Sequence, residues 1–460
     1  MQKDITQGKP GREWTQILLF SIPILLGNLL QQLYNTVDGI VVGNFVSEAS
    51  LAAIGSCAEL AMVFLAIAVG MSNGSAILIA QLFGAKQLDK LRRAESTILI
   101  LLLVIGVVMT LFGFFCARWL LRYVLNITVE EVLDLAVIYF RIYALGLLFQ
   151  YMYNCVAAIL RAIGDSRATL YFLLVTVVMN LFLDLLFVIV FHWGIAGAAA
   201  ATVIAQVVCV TVSVVYMFKK YELLRLDRKS FVFDRAMCRT GLKMGVPTTI
   251  QQGIISFGNV FMQWLVNTFG ASTMTAFFVG GRIMSIIFMP CLSFNIGMAT
   301  FTGQNVGAGK YDRVKRGLRG IIVCGVVICL VLGTIAYLFA PSIAALFGVQ
   351  GESLRQSVEY MRVIAFLVWL MACYMPITAT LQGSGDIMMS TVCTVGCFAV
   401  RLTSAHIMAA LGVGCMAIWV SQPISWLAAL CIGGIRYASG KWKTKALVKR
   451  GEESGEESSA

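Results

Sequence analysis

Apolar residues in this chain come in long blocks, not in short alternating runs. Each block is about 20 residues or more, which as a helix crosses roughly 30 Å of hydrocarbon. Twelve spans are predicted, over 15–40, 51–80, 95–116, 133–159, 168–191, 195–218, 241–268, 274–302, 318–340, 357–382, 389–410 and 414–435. Hydrocarbon offers no partner to backbone N–H and C=O groups, so the spans must satisfy themselves as helices. A β-barrel would instead show short alternating segments. The pattern predicts an all-α membrane protein.

The polar punctuation repeats. The run from Gln81 to Arg93 recurs from Gln304 to Arg316, an offset of 223 residues. Pro23 and Asn35 pair with Pro247 and Asn259 at 224, and Leu160, Gly164 and Asp165 pair with Leu381, Gly385 and Asp386 at 221. These echoes divide the chain into an N-terminal six-helix lobe over 1–220, a linker over 221–240, a C-terminal six-helix lobe over 241–436 and a tail over 437–460. Six spans per half means both halves enter from the same side. The repeat is therefore parallel, about a pseudo-symmetry axis along the membrane normal, the build of a secondary transporter. The linker is too charged to insert. The acidic, low-complexity end of the tail predicts partial disorder. Prolines at 23, 247, 290, 376 and 423 fall inside spans, where each removes a helix hydrogen bond and marks a kink or a hinge.

Charge orients the chain. The formal net charge is +12 with 13% charged residues, a balance that on its own would suit nucleic acid. However, 28 of the 35 Lys and Arg fall on the side of the N-terminus, with Arg118, Arg122 and Arg355 opposite and Arg141, Arg282, Arg362 and Arg401 inside spans. That is the positive-inside signature. It places both termini in the cytoplasm and turns the basic charge towards anionic lipid, away from any nucleic-acid role. The 13 cysteines are scattered and mostly within spans. They predict small packing residues, not a disulfide framework. No cleavable signal peptide is apparent.

Polar groups inside spans are the candidate chemistry. Gln31, Asn35 and Asp38 fall at i, i+4 and i+7 on one face of the first span, and Asn180 and Asp184 at i and i+4 in the fifth. Asp38, Asp184, Tyr139 and Thr202 all lie within roughly 10 Å of the outer boundary. Carboxylates, an amide oxygen and hydroxyls at one depth suit a proton relay or a small hard cation such as Na⁺, held by Asp38, Asn180, Asp184 and Thr202. The alternative is that the two acids sit at the membrane edge and face water. In the repeat, Asp38 maps to Met262 and the region of Asp184 to Leu402–Ser404, so the coupling site is expected in the N-terminal half alone. Gln31, Asn35, Asn259 and Gln263 are candidates for a substrate cavity. Glu59 and Arg282 occupy equivalent positions, 223 apart, and are candidates for an interlobe gate. Arg401 and His406 are candidates to line a second cavity or to bond between helices. No metal cluster of His and Asp and no Ser/Lys pair appears in the spans, so no enzyme is expected.

Several of these residues resemble a known family. Ile22-Pro23, Gln32, Asn35, Val37-Asp38 and Val42-Gly43 resemble the first helix of MATE (multidrug and toxic compound extrusion) transporters. So do Gln81, Gly84-Ala85 and their repeat, Leu160 to Asp165, and Gly194 to Ala199 with Thr202. The resemblance covers nearly all of the chain to about residue 436. It implies twelve helices in two pseudo-symmetric lobes set in a V around a central cleft, and export driven by H⁺ or Na⁺ antiport. By that resemblance Asp38 is the first-helix acid, and Tyr139, Asn180, Asp184 and Thr202 the N-lobe cation site of prokaryotic members. The seventh-helix acid of the NorM branch has no counterpart between Pro247 and Thr268, which points to a DinF-like branch. The expected protein is a monomeric, multi-pass antiporter of the cell membrane. It would export amphipathic organic cations and use no cofactor beyond its coupling ion. The alternative is a flippase for lipid-linked precursors, which would need several basic residues for a diphosphate.

Overall fold

The computed structural model describes residues 11–45, 48–226 and 231–448, the side chains of 34–45, 48, 49 and 51 excepted. Among the described residues there is no strand. The helices are α1 (Glu13–Phe45), α2 (Glu48–Gly84), α3 (Leu88–Trp119), α4 (Glu130–Ala162), α5 (Ser166–Asp184), α6 (Gly194–Lys220) and α7 (Arg235–Thr268). They continue with α8 (Ala271–Gly307), α9 (Tyr311–Leu338), α10 (Ala340–Ala345), α11 (Gly351–Leu367), α12 (Trp369–Gly383), α13 (Ile387–Ala410) and α14 (Met416–Ala438). Ten are long and apolar enough to cross a membrane, and α11 with α12 makes an eleventh span bent by 54°. The remaining predicted span is α7. Its 34 residues suffice, but Gln251, Gln252, Asn259, Gln263 and Asn267 make it the most polar of the set.

Two predicted boundaries change. Most helices run past their apolar blocks at one or both ends, because the backbone hydrogen-bond ladder continues into water until a turn stops it. The predicted single helix over 357–382 is broken at Val368, where the Met371 N–H bonds back to the Val368 carbonyl at 3.0 Å. Beside the break, a Cβ on Gly333 of α9 would lie 2.6 Å from the Ala365 carbonyl oxygen, so the two backbones touch there. Its repeat counterpart, α4, is continuous.

The turns explain the sequence echo. After α2, Lys86 adopts a left-handed φ of 60°, and after α8 Gly309 does so at 71°. In each, the next residue's N–H reaches back five residues, Gln87 to Leu82 at 3.1 Å and Lys310 to Asn305 at 2.7 Å. This Schellman-type closure satisfies the carbonyls that a helix end leaves open.

The helices form two compact units, residues 23–252 and residues 1–22 with 253–460. In the first, α4 is the hub, packed on α2, α3 and α6. In the second, α8 packs on α9, α11 and α12, and α14 on α12 and α13. The division does not fall at the linker. It falls inside α1 at Pro23 and inside α7, five residues past Pro247, so the first helix of each half divides its length between the units.

Small residues fix that division. On α2, Gly70 and Gly74 are one turn apart, and a Cβ on either would meet α7 backbone at Thr249 (2.4 Å) or at the Met244 carbonyl and Gly245 (2.5 and 2.6 Å). The early part of α7 is thus seated in a small-residue groove of the kind that brings membrane helices close. The same positions on α8, 223 residues on, are Ser293 and Gly297. A Cβ on Gly297 would lie 2.2 Å from Ser21 Oγ, so the early part of α1 sits on α8 in the same way. Its start is anchored to α9 by Glu13–Arg316 at 2.9 Å and by an Arg313 N–H to Gln16 at 2.9 Å. At the far end, Trp442 is buried and stacked on Tyr437, which ties the beginning of the tail to α14.

Candidate functional site

Asn180 and Asp184 lie one turn apart on α5, with 2% and 1% of their surfaces exposed. The Asn180 amide donates to Thr202 Oγ1 of α6 at 3.4 Å, and that hydroxyl donates to its own helix at the Ala198 carbonyl, 3.1 Å. The hydroxyl's proton is thereby committed inward, and its lone pairs face the α5 amide. Asp184 is the last residue of α5 proper. After it, Leu185–Val190 is wound as π-helix, closed by the Phe191 N–H on the Leu186 carbonyl at 2.9 Å. Such wide turns inside helices are frequent at functional sites because they re-aim side chains. The segment is held down by Phe187 stacked on Trp193 at 4.9 Å, and α6 comes close there because position 197 is glycine. A buried carboxyl therefore lies one turn from a buried amide that faces a hydroxyl of α6, and their sequence neighbours Leu183, Phe187 and Ala201 pack together as an apolar cluster.

The other predicted residues are placed as follows. Tyr139 stands on α4, stacked on Tyr143 with ring planes 9° apart. Gln31 is half-buried on α1. The side chains of Asn35 and Asp38 lie outside the described residues. Gln263 donates to Asn267 along its own helix at 2.8 Å, and Asn259 instead accepts from Arg401 of α13 at 3.4 Å. Glu59 is exposed on α2, and Arg282 on α8. His406 is exposed and bonds its own helix at the Leu402 carbonyl.

Three features escaped the reading of the sequence. Glu95, on α3, is fully buried, and neither carboxyl oxygen has a hydrogen-bond partner among the described residues. It stands at the first position of its predicted span, where an acid reads as interfacial. Arg161 donates to Asn73 of α2 at 3.0 Å, a bond between helices far apart in sequence. Asp165, in the turn between α4 and α5, gathers Tyr221 at 2.5 Å, Tyr216 at 2.9 Å and Lys220 at 3.1 Å while capping α5 at the Ala168 N–H. Burial opposes ionisation of this carboxyl, but the donors from Tyr221, Lys220, Tyr216 and Ala168 outweigh it and hold it below the usual carboxylate range. The second half has the matching pair, Asp386 with Arg436 at 2.7 Å. A cavity of about 490 Å³ opens beside Leu99, Leu103, Met152, Met217 and Phe231. Its lining is apolar and holds none of the predicted site residues.

Comparison with known proteins agrees with the repeat. The MatE family model matches residues 23–186 and 247–425, one block in each half. The chain is 29% identical to "Probable multidrug resistance protein YoeA" of Bacillus subtilis, over 95% of this chain and 96% of that one. It is 22% identical to "Probable multidrug resistance protein NorM" of Thermotoga maritima, over 95% and 94%. Among solved structures it is similar to a MATE in complex with MaL6, at 25% identity and a TM-score of 0.88, covering 96% of this chain and all of the other. With a family match in both halves, a shared fold and ten or more membrane-length helices, the chain is a membrane protein and belongs to the MatE family.

Proposed function

We propose that this protein is a secondary-active antiporter of the cell membrane that exports amphipathic organic cations by alternating access. The observation that carries the reading is the α5–α6 site. Asp184 is buried in a membrane-length helix, one turn from Asn180, which is bonded to Thr202. An intramembrane acid is costly and is retained where it binds something. Its donor set of carboxylate, amide and hydroxyl oxygens accepts a proton or Na⁺. Export as the direction and drugs as the cargo follow the family and the names of its relatives, multidrug resistance and multidrug export proteins.

In the mechanism, H⁺ or Na⁺ entering from outside binds at Asp184, with Asn180, Thr202, Tyr139 and the first-helix Asp38 as partners. Ion and cargo favour opposite states, so each displaces the other through the alternating-access equilibrium. Substrate contacts fall to Gln31, Asn35, Asn259 and Gln263, and Glu59 with Arg282 gates the outward side. Both termini are cytoplasmic, and the chain works as a monomer of the DinF-like branch. The C-terminal half has no acid deep within a span and serves cargo, not the coupling ion.

The test is ethidium efflux from liposomes containing the purified protein, with a pH gradient or a Na⁺ gradient imposed separately. Efflux under one gradient, lost in Asp184→Asn and in Asp38→Asn, is expected. Efflux that proceeds equally in both variants would sink the site. No efflux under either gradient would sink organic-cation antiport and favour the lipid-precursor flippase.

A further inference from the structure

Arg401 is a permanent cation that forms no ion pair among the described residues. It stands on α13, inside a membrane-length helix, with 7% of its surface exposed. A guanidinium carries five N–H donors and keeps its charge in proteins. Its one described hydrogen bond is the 3.4 Å contact from Nη1 to Asn259 Oδ1, and Nε has no acceptor. No described carboxylate of its own unit remains to serve it. The described acids there are Glu13, Asp312, Glu352, Glu359 and Asp386, and each is already paired, with Arg316, Lys315, Arg355, Arg355 and Arg436 respectively. A buried charge left in that state is among the costliest features a protein can keep.

The surroundings are shaped, not accidental. The Phe398 ring lies 6.0 Å below the guanidinium carbon, and the Tyr360 and Tyr374 phenols and the Cys397 thiol are its electrostatic neighbours. Two glycines make room for these walls. A Cβ on Gly258 would lie 2.3 Å from the Phe398 ring, and one on Gly280 would overlap the Tyr360 ring. Tyr360 is backed in turn by Trp419, with ring centroids 4.7 Å apart. Asn259 is exposed, so the site opens on its side, and Asn259 Nδ2 stays available as a donor.

We propose that Arg401 and Asn259 bind the carboxylate of an amphipathic ligand. The guanidinium fork matches a planar carboxylate through two parallel hydrogen bonds, the Asn259 amide adds a third, and the aromatic walls take the apolar body. The ligand supplies the negative charge that the unit lacks. That this ligand is cargo rests on the export reading above. On that reading the cargo class includes amphiphiles bearing a carboxylate, alone or beside a cationic group. Binding itself does not depend on export.

The experiment is equilibrium titration of the full-length protein in phosphatidylcholine nanodiscs with 1-naphthoate and with its neutral counterpart 1-naphthamide. No ion gradient is present, so a failure of the export reading leaves the result interpretable. Wild type is expected to bind the carboxylate at least 10-fold more tightly than the amide. Arg401→Gln should erase that preference, and Arg401→Lys, a point charge without the fork, should keep only part of it. Asn259→Asp provides a second route that does not remove the arginine. It sets a carboxylate against the guanidinium, so it should abolish naphthoate binding and raise the thermal midpoint. Repeating the titration with phosphatidylglycerol in the nanodisc separates the sources. Weakened naphthoate binding assigns the site to a lipid headgroup, and unchanged binding assigns it to a soluble carboxylate. Equal affinity for the two probes in wild type, or a preference that survives in Arg401→Gln or Asn259→Asp, would overturn the proposal.

Discussion

Gly70→Ala tests the packing that seats α7 against α2. The new Cβ would lie 2.4 Å from Thr249 Cα and 2.7 Å from its N, where ordinary contact begins near 3.4 Å. The opposing atoms are backbone, so no rotamer relieves the overlap. The early part of α7 must retreat by about 1 Å, and the neighbouring contact at Gly74 loosens with it. Overpacking of this kind costs about 1–3 kcal/mol, and the helix propensity gained by alanine returns at most about 1 kcal/mol. The expected net loss is about 1–2 kcal/mol. Two other glycines calibrate it. A Cβ on Gly245 meets chiefly the Met71 Sδ and Cε, 2.8 and 2.9 Å away, a flexible tip that can swing aside, so Gly245→Ala should change stability by less than about 1 kcal/mol. Gly55 has nothing within 4 Å, so Gly55→Ala should be neutral or gain up to about 1 kcal/mol. Reversible unfolding of the purified variants in mixed micelles gives the ranking. If Gly70→Ala proved as stable as Gly55→Ala, the close approach of α2 and α7 would be wrong.

Further outcomes follow from the polar residues. Glu95→Leu replaces a buried carboxyl that has no hydrogen-bond partner with an apolar group of similar volume, so unfolding should become harder by about 1–3 kcal/mol; a loss of stability would mean that the carboxyl has a partner. Asp165 has a lowered folded-state pKa, so its contribution is present above the unfolded value of about 3.9 and is lost as pH falls through the folded value. The stability gap between wild type and Asp165→Asn should therefore be full at neutral pH and close in acid, and a gap that widens on acidification would contradict the assignment. Thr202→Val removes the acceptor of the Asn180 amide and should weaken ion-driven efflux by 10-fold or more while the fold survives; unaltered ion dependence would exclude Thr202 from the site. Lys86→Gly relieves a left-handed residue and should add up to about 1 kcal/mol, read as a raised unfolding midpoint.

The spans and their repeat were legible because lipid imposes length and apolarity directly on sequence. The pairing of Asn180 with Thr202 was also within reach, since depth is counted along a helix at a fixed rise. What could not be read was lateral contact. Gly70, Gly74 and Gly297 look like any small residues until the facing backbone is known, so the split of α1 and α7 between units leaves no mark beyond two prolines. The break at Val368 lies in an uninterrupted apolar run, Phe366 to Met371, and the close packing on Gly333 beside it leaves no mark in the sequence. Glu95 drew no reading at all, because apolar patterning cannot tell a helix end in water from one covered by neighbours. Arg401 was visible as a polar residue in a span. Its lack of a counter-ion was not, because that depends on where five other acids find their partners.

The two halves diverge in a way that separates scaffold from chemistry. Positions that set backbone approach or turn geometry recur at 223: Gly70 and Gly74 as Ser293 and Gly297, Lys86 as Gly309. The capping acid recurs at 221, Asp165 as Asp386, each with a base from the last helix of its half, Lys220 or Arg436. Their places in the fold recur even where the residue differs, as at Ser293 and Gly309. Inside the predicted spans the buried charges do not recur. The first half keeps Glu95 and Asp184 there, and the second keeps Arg401. Within its spans, one scaffold used twice thus presents acid in one unit and base in the other. Two chemically different ligands would need that asymmetry, and a symmetric pair of sites would bind the same ligand twice.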